Sequence, residues 1–138
     1  MTAPYGGGTP LVFDTSAWNR QRAPGVRERW LATLDAGLLA VCPLVALEVL
    51  RAARDEAQFA MFDRDLSALA HRNHAPVTAA ACAAALSATR ELKGARRSIP
   101  ALDMAIAAAA AERGFGVLHH DRHFDLLSGP LGFQSVRI

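Results

Sequence analysis

The run Leu11-Val12-Phe13-Asp14-Thr15-Ser16-Ala17 decides how this chain is read. Three consecutive apolar residues without alternation suit a strand buried on both faces, as in a parallel sheet. The run then ends on an acid followed by two hydroxyl residues. Outward from it the same grammar recurs. Leu38 to Val41, Gly116 to His119 and Phe133 to Val136 are further short strand-like runs. Helical stretches separate them. Val26 to Ala36 follows Pro24-Gly25 and stops at Gly37. Pro43 suits the first turn of a helix reaching about Arg54, and Asp55 to Leu69 is a polar helical region. His71 to Pro76 is a breaker with only a weak strand signal. Thr78 is a good N-cap for an alanine-rich helix ending at Gly94. Ala95 to Ser98 reads as a basic loop, Pro100 opens a helix stopped by Gly114, and Asp121 to Leu127 is a short helix. Strands alternating with helices predict an α/β fold with a mainly parallel sheet.

The 138 residues suit one domain, since two separate cores of half that size would each be marginal. Hydrophobic residues at 51% supply a core, and charged residues at 20% exclude a disordered chain. A net charge of +2 is too small to argue for nucleic acid by itself. Lys93 is the single lysine; the remaining cations are arginines. With so many alanines this composition reads as that of a GC-rich genome, although arginine is also the residue that grips phosphate bidentately. Cys42 and Cys82 form neither a disulfide framework nor a CxxC pair, which predicts a reducing cytosol. The opening MTAPYGGGTP lacks a basic n-region and an apolar h-region, so no signal peptide is read there and residues 1–10 are expected to form a flexible tail. The longest apolar run, Met104 to Ala111, is too short for a bilayer. A soluble cytoplasmic protein with no membrane partner is the expectation.

Parallel α/β sheets bind ligands beyond the carboxyl ends of their strands, and Asp14 and Asp121 stand at two such ends. Each is equally placed to cap the helix that follows. Glu48 interrupts an apolar helical stripe with Leu44, Val45 and Ala52 as neighbours, where a bare carboxylate needs a partner. That partner is either Arg51 on the same helix or a cation. Asp103 shares its face with Ile99, Ile106 and Ala107, and is either a favourable first-turn charge or a ligand. If the four converge, they repel until a proton or a cation joins them. Oxygen-only ligation suits Mg²⁺ or Mn²⁺ rather than zinc, and such a centre activates water against a phosphate. Other chemistries fit less well. Gly6 to Gly8 precede the first strand, so they form no phosphate-cradling turn after it. Asp14-Thr15-Ser16 lacks the second aspartate of a phosphatase, and Lys93 lies at a helix terminus rather than after a late strand. His71, His74, His119, His120 and His123 match no standard zinc spacing and read as incidental surface residues.

The order and setting of these acids resemble the PIN domain, particularly the VapC toxins of VapBC toxin–antitoxin pairs. Val12-Phe13-Asp14-Thr15-Ser16-Ala17 is similar to the family's opening strand and turn, and Pro43-Leu44-Val45-Ala46-Leu47-Glu48-Val49-Leu50-Arg51 to its glutamate-bearing helix. Ile99-Pro100-Ala101-Leu102-Asp103-Met104-Ala105-Ile106-Ala107 resembles the third acidic motif. Val117-Leu118-His119-His120-Asp121-Arg122-His123-Phe124-Asp125 resembles the fourth, where the family often reads T-x-D-x-D-F. The likeness runs through nearly the whole chain from Leu11 onward. It implies a three-layer α/β/α fold with a mainly parallel four- or five-stranded sheet, and endonucleolytic cleavage of RNA with Mg²⁺ or Mn²⁺. It also implies a homodimer and a cognate VapB-like antitoxin.

In this reading Asp14 and Asp103 are the principal metal ligands, with Glu48 and Asp121 completing the acidic shell. Thr15 and Ser16 match hydroxyl positions that hold Asp14 or a water. Asp125, after Phe124, takes a supporting place, and His120 stands where the family commonly has arginine. An acidic pocket repels RNA, so cations must guide the backbone: Arg20 and Arg22 near the mouth, and Lys93, Arg96 and Arg97 in the basic loop. No aromatic residue lies among them as a stacking platform, which leaves RNA choice to shape and a few contacts. An antitoxin would lay apolar side chains on the helices around Leu44 to Leu69, and the helix Thr78 to Leu92 offers close packing for a dimer. Two other functions use the same residues: a PIN-like protein that binds RNA or antitoxin without cleaving, and a metal-dependent phosphatase.

Overall fold

The central strands are short because each must be apolar on both faces and hand over at once to a helix. A computed structural model describes residues 2–138. In chain order the elements are β1 (Leu11–Phe13), α1 (Thr15–Trp18), α2 (Arg27–Asp35), β2 (Leu39–Ala40), α3 (Pro43–Arg51) and α4 (Glu56–Arg72). Then follow α5 (Ala79–Leu92), α6 (Ala101–Glu112), β3 (Gly116–His119), α7 (Arg122–Leu131) and β4 (Ser135–Arg137). The four strands form one all-parallel sheet in the order β2-β1-β3-β4, with helices on either side in three layers. Every residue of β1 and β3 is buried, as the unbroken apolar runs predict.

On one face Phe13 stacks on Trp18, with ring centroids 5.5 Å apart, and meets Trp30 edge-on at 5.6 Å. Phe62 of α4 closes this aromatic group against Trp18. Alternation along β1 sends Val12 to the opposite face. There α5, α6 and α7 pack on one another, and α6 buries Met104 and Ile106 to Ala110, apolar around most of its circumference. Small alanine side chains let these helices approach closely. Gly116 opens β3 where no side chain fits: a Cβ there would lie 2.7 Å from the Gln134 carbonyl and 2.8 Å from a Leu11 methyl.

Several expectations are corrected. Within the segment read as a flexible tail, of which Met1 lies outside the described residues, Tyr5 is buried in a 3-10 turn over Tyr5–Gly8, and its N–H donates to Thr33 Oγ1 at 2.9 Å. Arg29 lies over the Tyr5 ring. The aromatic supplied the burial that the glycine-rich composition concealed. Helix α4 continues through His71 and Arg72, so the breaker is shorter, and the weak strand is an isolated parallel bridge between Val41 and His74. The basic loop is a 3-10 segment, Lys93–Ser98, entered through Lys93 at φ 47°. Helix α7 runs on to Leu131, and β4 begins at Ser135 rather than Phe133. Cys42 is buried and Cys82 exposed, both as free thiols. Among the described residues, no helix is long and apolar enough to cross a membrane.

Candidate active site

Because β1 and β3 run parallel in register, Phe13 beside Leu118, their carboxyl ends lie side by side and deliver Asp14 and Asp121 to the same edge. Asp14 is 6% exposed. Its Oδ2 accepts hydrogen bonds from the Ser16 N–H at 3.1 Å and the Ser16 hydroxyl at 2.7 Å, which caps α1. The Ser16 hydroxyl in turn accepts the His120 N–H at 3.0 Å, so one side chain ties the end of β1 to the end of β3. Both bonds to Asp14 fall on one oxygen, leaving Oδ1 available. Capping and ligation are therefore compatible rather than rival roles. Thr15 turns the other way: its hydroxyl donates to Glu48 Oε1 at 3.0 Å, drawing α3 to the same edge. Glu48 forms no ion pair with Arg51 among the described residues, and Arg51 is exposed.

The tightest grouping joins α6 to the start of α7. Asp121 caps α7, its Oδ1 accepting the His123 N–H at 3.0 Å. This cap swings the His123 ring inward, so that Nδ1 lies 3.0 Å from Asp121 Oδ1 and 3.1 Å from Asp103 Oδ2. One donor atom from each of Asp103, Asp121 and His123 falls within 4.8 Å of the others. Burial pushes the Asp103 carboxyl up to about 6; the charges of Asp14 and Asp121 add to the rise, while His123 opposes it. That Asp103 feels Asp14 and Asp121 places the three acids in one electrostatic neighbourhood.

Two of the five histidines are not surface residues, contrary to the reading from spacing. His123 belongs to the acidic group. His119 is fully buried, and burial holds its ring below the usual histidine range. Its Nδ1 accepts the Asp121 N–H at 3.1 Å, which leaves the proton on Nε2 to donate to Ser135 Oγ at 2.7 Å. The Ser135 hydroxyl donates to Asp125 Oδ1 at 2.7 Å, and Arg137 reaches Asp125 Oδ2 at 3.2 Å. Asp125 thus faces β4, outside the group of Asp103 and Asp121, and fastens α7 to the sheet. The signal that singles out His119 and His123 is positional: in the T-x-D-x-D-F pattern they occupy the threonine and the second aspartate. Zinc spacing does not find them.

The five cations lie on other elements and do not join the acidic group. Arg20 is exposed just beyond α1, and Arg22 lines a cleft with Trp18, Gln58 and Phe62. Lys93, Arg96 and Arg97 are exposed on the 3-10 segment that leads into α6, the helix carrying Asp103. No lysine or arginine pairs with Asp14, Glu48, Asp103 or Asp121 among the described residues. An oxygen-rich donor set that has no lysine or arginine partner among the described residues, and has one carboxyl raised by burial and by neighbouring acids, fits a divalent cation.

The comparisons with known proteins agree with this architecture. The PIN domain profile matches residues 11–130. Ribonuclease VapC18 of Mycobacterium tuberculosis (strain ATCC 25618 / H37Rv) is 35% identical over 128 residues, 88% of this chain and 91% of that protein. Ribonuclease VapC21 of the same strain is 32% identical over 123 residues, 87% of each. Two solved structures share the fold. VapBC-5 of Mycobacterium tuberculosis, a member of the VapBC family of toxin-antitoxin systems, superposes with a TM-score of 0.66 at 23% identity, over 94% of this chain and 99% of that one. FitAcB from Neisseria gonorrhoeae gives a TM-score of 0.67 at 18% identity, over 91% and 96%. With the parallel sheet, the acids at its carboxyl edge and this extent of identity together, the chain belongs to the PIN-domain family and, within it, to the VapC-type proteins.

Proposed function

We propose that this chain is a metal-dependent endoribonuclease, the toxin of a type II toxin–antitoxin pair, and that Asp14, Glu48, Asp103 and Asp121 form its catalytic site. The observation that carries this reading is the meeting of Asp103 and Asp121, within reach of the Asp14 charge, at the carboxyl edge of a VapC-type sheet. Asp14, Asp103 and Asp121 bind Mg²⁺ or Mn²⁺, and Glu48, held by Thr15, completes the anionic shell. When bound, the ion supplies ready ionisation of water and neutralises charge on the attacked phosphate. Ser16 keeps Asp14 in place through two hydrogen bonds on one oxygen, so the other is presented without rotation. Arg20, Arg22, Lys93, Arg96 and Arg97 guide the RNA backbone past acids that would otherwise repel it.

A toxin must be silenced in its own cell, and the same anionic site invites a cation. A VapB-like antitoxin lays apolar side chains in the groove of α3 and α4, lined by Val41, Pro43, Ala46, Leu50, Leu66 and Ala70; the same two helices expose Leu47 and Phe59. It sets an arginine or lysine against the carboxylates. The outer face of α5, where Ala83 and Leu86 are exposed while Ala81 and Ala88 pack inward, serves a homodimer. The test is RNA cleavage with Mg²⁺ or Mn²⁺ against EDTA, in the wild type and in Asp14→Asn. Cleavage that needs metal and is lost in the variant is the expected result; equal cleavage by Asp14→Asn would place the chemistry elsewhere.

A further inference from the structure

One member of the group at the carboxyl edge is not a carboxylate. His123 is held there twice over, by its own N–H on Asp121 and by its ring between Asp121 and Asp103. The Nδ1 geometry is that of a hydrogen bond to Asp103 Oδ2 alone; Asp121 Oδ1 shares the distance without the hydrogen bond, so a single Nδ1 proton leaves that carboxylate unserved by the ring. With that proton on Nε2, which makes no hydrogen bond among the described residues, Nδ1 offers a lone pair on the side of Asp103 Oδ2, and donor atoms of His123, Asp103 and Asp121 lie within 4.8 Å of one another. The spacing is also that of ligands. Adjacent donors on an octahedral ion with bonds of about 2.1 Å stand about 3.0 Å apart, and Nδ1 lies 3.0 and 3.1 Å from the two oxygens.

We propose that His123 Nδ1 is a ligand of the divalent-cation site formed with Asp103 and Asp121, making it a mixed nitrogen–oxygen site that takes Mn²⁺ in preference to Mg²⁺. The inference rests on reading this group as a metal site. Mg²⁺ dehydrates reluctantly and keeps to oxygen donors, whereas imidazole suits first-row transition ions and affinity rises along that row. An all-carboxylate set discriminates less between the two ions, so the one substituted donor is where preference enters.

Pulsed EPR of Mn²⁺ bound to the full chain reads the ligand directly. The expected spectrum carries a ¹⁴N coupling from imidazole, replaced by the ¹⁵N pattern when the protein contains ¹⁵N-histidine, and absent from His123→Asp. In competition titrations His123→Asp lowers the Mn²⁺/Mg²⁺ preference by at least about tenfold, the low end of what altering groups around a metal site does to affinity. The wild-type spectrum needs no variant, so a folding defect in His123→Asp does not blunt the test. Mn²⁺ bound without nitrogen coupling would remove His123 from the ligand set and leave the metal site standing. A coupling that survives in His123→Asp would assign the nitrogen to another histidine and also overturn the proposal. Failure of the wild type to bind Mn²⁺ at all would overturn both this inference and the metal site beneath it.

Discussion

Asp103 is the residue on which the crowding of the site falls. Its side chain is 14% exposed, and burial with two neighbouring acids raises the carboxyl from its ordinary 3.8 to about 6. Below the lower value both folded and unfolded chains hold the proton, and the group is neutral to stability. As pH rises toward 6 the unfolded chain releases the proton first, so folding stability falls, by about 3 kcal/mol at most. Above 6 the loss is complete. Asp103→Asn escapes it: in EDTA the variant should melt higher than wild type at pH 7, and the difference should vanish near pH 4. Saturating Mn²⁺ should reverse the order at pH 7, because the ion rewards the carboxylate that the empty site penalises. A Tm difference unchanged between pH 4 and 7 would mean that Asp103 is not under this strain. His119 carries a different cost. His119→Ala strands the Asp121 N–H and opens a cavity beside Phe124, so it should lose about 1–3 kcal/mol for the unpaired donor alone, with packing loss added. Urea denaturation gives the value.

At the scale of elements, the site depends on β1, β3 and β4 keeping their separation, since Asp14, Asp121 and the His119–Ser135–Asp125 chain hang from these three strands. Gly116 sets that separation. The carbonyl its Cβ would strike, at Gln134, is backbone, and it already accepts the Val117 N–H at 2.9 Å. No rotamer change relieves such a contact, so β4 itself must move. Gly116→Ala should therefore cost about 1–3 kcal/mol, the usual range for overpacking, and should weaken Mn²⁺ binding through the displaced β3 end. A wild-type urea midpoint in this variant would show that the sheet gives more easily than its geometry implies. The short α1 plays the complementary part: its cap at Asp14 and the Ser16 link to His120 hold the edge through hydrogen bonds.

At the scale of the whole molecule the proposed function sets an acidic site against exposed cations on other elements. In the proposed function the cations guide RNA to the acids, and such pairing registers as salt dependence. In the Asp14→Asn background, expected to prevent turnover, replacing Arg96 and Arg97 with alanine should flatten the slope of log affinity against log salt. The change should be about 0.7 for each single-strand phosphate that the variant no longer neutralises. An unchanged slope would route the RNA over Arg20 and Arg22 instead. The partner surface gives a second whole-molecule test. Truncating one member of a desolvated charge pair costs about 2–5 kcal/mol, so Asp103→Ala should weaken capture of the product of an adjacent antitoxin gene in pull-down. Binding unaffected by that change would assign the affinity to the α3–α4 groove alone.

The sequence by itself determined what local chemistry can determine. Three apolar residues closed by Asp14 mark a buried strand and its handover to a helix, Pro43 and Thr78 mark helix starts, and the β/α alternation makes the sheet parallel. Parallel strands put their carboxyl ends together, so Asp14 and Asp121 were legible as neighbours before any coordinate. Glu48 and Asp103 stood out as charges on apolar stripes. Only the tertiary structure decided which groups meet. His123 resembles a surface residue along the chain, because its ring finds Asp103 on a helix twenty residues earlier. His119 looks interchangeable with His120, yet His119 ends β3 inside the sheet and His120 lies just beyond it, exposed. Tyr5 hid in a glycine-rich segment whose order comes from Thr33 and Arg29 on α2. Periodicity and capping act over a few residues and are written in the sequence. Burial and charge coupling act through space between residues far apart in the chain, and they exist only once the sheet and its helices have closed.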